Sequence, residues 1–198
     1  MPAATCALGC FAKTGKAALV AVAPRPDLVA TWDIALVPAT QERFVYHAAQ
    51  LMESGAARFV KRSTEVVGTH TAAVIGTVLD ELAARHVRVT GAAVVGREVE
   101  LPGPLEKILA SHTLLHSAEG ALYRGALVDA LDDHGITCTL VPRDDLGDVA
   151  SLASFGKVPA PWRKEHKDAA LAALRLVRAG GRGSAPRTAR AVRSRRRA

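Results

Sequence analysis

Two short apolar runs open the chain, residues 4–11 (ATCALGCF) and 16–23 (KAALVAVA), separated by Ala12-Lys13-Thr14-Gly15. Glycine reaches the positive φ that a tight turn needs, so the pair predicts a β-hairpin. Pro24 and Pro26 end the second run. Residues 31–37 (TWDIALV) predict a third strand closed by Pro38, with Trp32, Ile34 and Leu36 on one face. From Thr40 to His86 there is no proline. Within 54–86, Ala56, Phe59, Val60, Ser63, Val67, Val74, Val78 and Leu82 recur at helical spacing, which predicts one long helix. The preceding segment, 41–53, fits either a short helix or an ordered loop. Residues 87–95 (VRVTGAAVV) predict a fourth strand and 96–104 a loop rich in glycine and proline. A helix follows over about 104–134, continuous or broken near His112, with Gly135 suited to its C′ position. ITCTLVP (136–142) predicts a fifth strand stopped by Pro142, 143–163 a loop, and 162–178 a final helix rich in Ala and Leu.

Strands four and five are each reached through a helix, so each is expected to run parallel to a neighbour. The hairpin and third strand supply an antiparallel part. The expected fold is α/β: three layers, a five-stranded mixed sheet with helices on both faces, in one domain spanning 1–179. A chain of 198 residues, 49% apolar, suffices for one core. Aromatic residues are only 4%, so that core is built from Ala, Val and Leu. No internal repeat is present.

The formal charge of +7 suggests a nucleic-acid partner until it is located. Residues 180–198 hold seven arginines (Arg182, Arg187, Arg190, Arg193, Arg195, Arg196, Arg197) and no acid. Without them the 26 basic residues fall to 19, matching the 19 acidic ones, and the body is neutral. The tail lacks apolar periodicity and is expected to be disordered. Its arginines suit DNA or RNA phosphates without sequence choice; a solvated terminal extension explains them equally well. Three cysteines without a CxxC spacing (Cys6, Cys10, Cys138) argue against a disulfide framework and for a reducing compartment. The N-terminus lacks a signal-peptide pattern and no apolar run is long enough for a membrane span, so the expected location is cytoplasmic. The Ala-rich final helix is compatible with a homo-oligomer.

The densest polar cluster runs from Ser111 to Arg124. On a continuous helix His112, His116 and Glu119 share a face at i, i+4 and i+7, with Tyr123 one turn on. Two imidazoles and a carboxylate are a candidate set of metal ligands; the bland alternative is a partly buried His–Glu hydrogen-bond network. The pattern is not HExxH. Lys13-Thr14-Gly15-Lys16 is a basic turn that could hold a phosphate through Lys13 and Thr14, or simply be a solvated hairpin tip; it is not a Walker A loop. His47, after Tyr46, is a candidate site component, as are Arg124 and Lys167 for an anionic ligand. Cys10 reads as an inert buried thiol, and Trp162 as a staple onto the last helix.

The element order is similar to the RNase H-like fold, especially the resolvases of the RuvC type. Ala7-Leu8-Gly9-Cys10-Phe11, followed by a turn and Gly15, resembles their first hairpin. His166-Lys167-Asp168-Ala169-Ala170-Leu171-Ala172 resembles their last helix. The resemblance implies acidic side chains that hold two divalent metal ions: one on the first strand, one at the end of the fourth and one on the last helix. Here the first-strand position falls at Phe11 or a neighbour, and 1–26 contains no acid. The fourth strand ends in Val95-Gly96, with Glu98 two residues on, and Asp168 alone matches in place. A diverged nuclease would have to use Glu98, Glu119 and Asp168 with magnesium or another divalent ion. The missing central carboxylate instead implies a catalytically degenerate, nucleic-acid-associated domain. A metal-dependent hydrolase or nuclease built on His112, His116, Glu119 and Asp168, and a non-enzymatic interaction module, are the alternatives.

Overall fold

The structure, a computed structural model, describes residues 3–25 and 27–180. Five strands, β1 (Ala4–Lys13), β2 (Lys16–Val22), β3 (Leu28–Ala35), β4 (Val87–Val95) and β5 (Cys138–Val141), form one sheet in the order β3-β2-β1-β4-β5. The β3-β2-β1 side is antiparallel, and β1-β4-β5 is parallel. The helices are α1 (Val45–Gln50), α2 (Ala56–Ala84), α3 (Leu105–Leu109), α4 (His112–Asp133) and α5 (Lys164–Gly180). The expected five-stranded mixed sheet is thus present.

Alternation along β1 divides the core in two. Cys6, Leu8 and Cys10 face a cluster completed by Val67, Ile75, Val78 and Leu82 of α2 and by Leu122, Leu127 and Leu131 of α4. Ala7 faces the other side with Val20, Val22, Ala93, Val95 and the run Ala169–Leu174 of α5. The sheet therefore lies between α2/α4 and α5, three layers in all. α2 buries Ser63, Val67, Thr71, Ile75, Val78 and Leu82. Its buried Thr71 hydroxyl is satisfied by donating to the Leu36 carbonyl at 3.2 Å. In the β1–β4 ladder the register shifts between Cys6 and Ala7, which leaves Thr90 as the extra residue. The Thr90 hydroxyl donates to the Cys6 carbonyl at 3.1 Å and so satisfies an acceptor beside the bulge.

Several boundaries differ from the sequence expectation. The hairpin strands extend until only Thr14-Gly15 remains as a turn, with Gly15 at φ 76°. β3 begins at Leu28 rather than 31 because Leu28 pairs with Val22 across an irregularity in the ladder. The 41–53 segment resolves into the short α1. The helix over 104–134 is broken at Ser111, whose hydroxyl accepts from the Leu114 N–H at 3.4 Å and caps α4. The stretch 143–163 is not wholly irregular; it holds 3₁₀ turns at Arg143–Asp145 and Val149–Phe155. Trp162 packs beside Phe155 and His166, ring centroids 6.3 Å from each. Among the described residues no helix is long and apolar enough to cross a membrane. α5 runs through Gly180, and the arginine-rich stretch beyond it lies outside the described residues.

Candidate functional site

An open cleft of about 360 Å³ forms where the hairpin tip meets α4 and the segment leading into α1. Lys13, Thr14, Lys16 and Arg43 bring donors to it, and His116, Glu119 and Tyr123 line its α4 side. Glu119 is buried, yet its Oε1 accepts from the N–H groups of Tyr46 (2.9 Å) and His47 (3.4 Å) and lies 3.3 Å from His47 Nδ1. These two amides open α1, so a carboxylate from another helix caps it. Burial pushes the Glu119 carboxyl above its ordinary value, against the lowering effect of those hydrogen bonds. Tyr123, fully buried, donates its hydroxyl to the Arg43 carbonyl at 2.5 Å; burial drives its pKa upward.

Arg124 points toward the end of β4. A Cβ on Gly96 would lie 2.5 Å from Arg124 Cδ, and one on Gly120 would lie 2.8 Å from a guanidinium nitrogen. Gly96 also has φ 142°, a conformation that favours glycine, whereas at Gly120 only the mobile end of Arg124 would have to move.

The opposite face of the sheet carries ion pairs around the start of α5. Lys13 bonds Glu165, and Arg163 bonds Asp33. Asp168 accepts from Arg143 Nε at 3.0 Å and from a terminal nitrogen at 2.5 Å. The same guanidinium lies 5.3 Å from the centroid of the Phe11 ring, within cation–π range. His166 is buried in this region, its pKa lowered by desolvation.

The Lys13 hydrogen bond pulls the Glu165 carboxyl down to about 2. Because the folded value lies below the ordinary one, the pair's stabilisation is present at neutral pH and is lost as pH falls from about 4.5 toward about 2. Lys13 is half in water, so the contribution is about 1 kcal/mol or less. Glu165→Gln is expected to flatten that part of the acid limb in urea titrations run at successive pH values. An unchanged limb would mean that solvent screens the pair completely.

No protein-family model and no curated protein sequence matches the chain. Solved structures do match it, among them two of RuvC. One is the RuvC of Thermus thermophilus in complex with a Holliday junction substrate, with 13% identity and TM-score 0.53 over 90% of this chain and 96% of that one. The other, T. thermophilus RuvC, matches at 12% identity with the same TM-score and coverage. The fold is RuvC-like.

The acidic positions expected of RNase H-like nucleases do not carry a two-metal set in this RuvC-like chain. β1 carries no acidic residue along its length, and Phe11 stands near its end. β4 closes on Val95 and Gly96, and Gly96 spends its N–H on the Val141 carbonyl at 2.8 Å. Asp168 lies on α5, and both of its hydrogen bonds go to Arg143, an internal cation. An aromatic, a glycine and an arginine-neutralised aspartate do not fit a pair of divalent ions.

The residues singled out from sequence separate into groups. Lys13, Thr14, His116 and Glu119 share the cleft. His47 joins His112 and His116 in a three-histidine cluster, while the Glu119 carboxylate sits behind His47 rather than among the three rings. Asp168 and Lys167 lie on α5, across the sheet from Glu119, and Glu98 is exposed in the loop after β4. Glu98, Glu119 and Asp168 thus do not converge on one another. Arg143 lies in a stretch expected to be loop and Arg43 in one that fits a loop or a short helix, and no spacing signal marks either. The tail arginines Arg187, Arg190, Arg193, Arg195, Arg196 and Arg197 lie outside the described residues.

Proposed function

We propose that this protein binds nucleic acid through an RNase H-like domain that does not cleave at that fold's two-metal centre. The observation that carries the reading is Arg143, placed between Phe11 and Asp168 where a nuclease of this fold would hold cations. Binding is supported by three features of different kind. The fold matches a RuvC chain seen with a Holliday junction. Lys16 and Arg43 gather at one cleft, while Lys13 beside them is paired with Glu165. Seven arginines end the chain.

The test is a filter-binding titration of the full chain, and of a variant ending at residue 180, on a four-way DNA junction and on single-stranded DNA. With the tail present, affinity should fall steeply with salt. Deleting seven arginines should flatten the log–log slope by at most about 6. Lys16→Ala combined with Arg43→Ala should weaken what binding the body retains. In magnesium or manganese the junction should stay intact. Cleavage that disappears in Asp168→Asn would overturn the non-cleaving half of the reading. Failure of the full chain to bind more tightly than about 100 µM at low salt would overturn the other half.

A further inference from the structure

Three histidines meet beside the cleft. One ring nitrogen from each of His47, His112 and His116 lies within 4.8 Å of the other two. His112 and His116 are one turn apart on α4, and their Nε2 atoms are 3.0 Å apart. His47 comes from α1, its ring centroid 4.9 Å from that of His116. Two neutral rings can share one hydrogen bond. A third ring turned into the same spot is not needed to satisfy that pair.

The second observation lies behind His47. Its Nδ1 is 3.3 Å from Oε1 of Glu119, a buried carboxylate. A carboxylate oxygen accepts, so this contact is a hydrogen bond in the tautomer with the proton on Nδ1, which leaves the Nε2 lone pair free. A carboxylate on the far nitrogen is the arrangement that orients a metal-bound histidine and raises its basicity.

We propose that His47, His112 and His116 bind one divalent transition-metal ion of the zinc class, with Glu119 as the positioning carboxylate behind His47. Three imidazoles and no oxygen donor favour zinc, cobalt, nickel or copper over magnesium or calcium. Zinc–nitrogen bonds of about 2.0–2.1 Å imply nitrogen separations of about 3.4 Å in a tetrahedron. The α4 pair is already close to this, and His47 needs to close by little more than about 1 Å. Three protein donors leave one position for water or an anion. His116 also lines the cleft that Lys16 and Arg43 make basic. The site lies on the opposite face of the sheet from Asp168, and it stands whether or not the protein binds nucleic acid.

The experiment titrates the tag-free, metal-stripped full chain with cobalt(II) at pH 7.5, followed by displacement with zinc. One equivalent should bind, with the visible band of a tetrahedral cobalt centre, and zinc should remove that band. His112 and His116 are exposed, so His112→Ala and His116→Ala keep the fold by far-UV circular dichroism, and each should weaken binding about 100-fold. Glu119→Gln should weaken it about 10-fold and shift the cobalt band, a change that a purely structural role would not produce. His70→Ala on α2 is the control and should change neither. Saturable binding that survives the double variant His112→Ala/His116→Ala would overturn the proposal. So would the absence of any binding tighter than about 10 µM.

Discussion

Replacing Gly9 by alanine should destabilise the domain by about 3 kcal/mol or more, at or beyond the upper end of ordinary overpacking costs. A Cβ at Gly9 would stand 1.8 Å from the carbonyl oxygen of Ala169 and 3.1 Å from the Ala173 amide nitrogen. Both are backbone atoms of α5, so no side chain can turn aside; the helix itself must lift from the sheet. That helix buries an unbroken run, Ala169–Leu174, against Ala7, Val20, Val22, Ala93 and Val95. Lifting it by an ångström loosens the packing of one whole layer. The comparison is Gly68→Ala in the interior of α2, where a Cβ meets nothing within 4 Å. There alanine should be neutral or stabilise by up to about 1 kcal/mol, since it improves helix propensity without a clash. Urea denaturation of the two variants beside the parent chain checks both. A Gly9→Ala protein within about 1 kcal/mol of the parent would mean that α5 does not rest on β1 this closely.

Truncating Glu119 should cost about 2–3 kcal/mol, most of it at α1, from the loss of hydrogen bonds to a charged acceptor. Its Oε1 is the shared acceptor for the first free amides of α1 and for the His47 ring. In Glu119→Ala those amides keep no side-chain acceptor, and α1 is too short to hold itself in place without one. Water entering from the open cleft limits the cost. Glu119→Gln keeps a carbonyl acceptor and removes a charge that burial disfavours, so it should lie within about 1 kcal/mol of the parent. The pair of variants should therefore separate by more than about 1 kcal/mol in metal-free protein. The clearest reading is amide exchange. Protection at Tyr46 and His47 should fall in the alanine variant and survive in the glutamine one. Equal protection in both would show that packing, not the carboxylate, holds α1.

Both predictions turn on contacts that the sequence displays only in part. Gly9 is visible as a glycine inside a strand, a sign of close backbone approach. What approaches it is a helix some 160 positions later, and no local pattern names that partner. Glu119 was legible as a polar residue on the same helical face as His112 and His116, because i, i+4 and i+7 spacing is fixed by the helix itself. Its true neighbours, the amides of Tyr46 and His47, come from a segment whose spacing fits a loop as well as a helix. The interruption at Ser111 follows from a capping hydroxyl, a local signal; the burial of α4 on two sides does not.

The order of strands and helices, the hairpin, the neutral body and the cationic end follow from the sequence alone. They depend on side-chain period, on glycine and proline, and on counting charges, all of which act over a few residues. The three layers and the strand order β3-β2-β1-β4-β5 were expected in outline and are fixed in detail by which face each helix covers. Where the carboxylates go is set by long-range packing instead. Asp168 on α5 resembles by sequence the acid of an RNase H-like last helix, and Arg143, 25 residues away, takes both of its observed hydrogen bonds. Glu119 reaches across to α1 and turns His47 toward His112 and His116. A buried charge must find a partner wherever the packed chain supplies one, and that partner is set by long-range geometry that residue spacing does not encode.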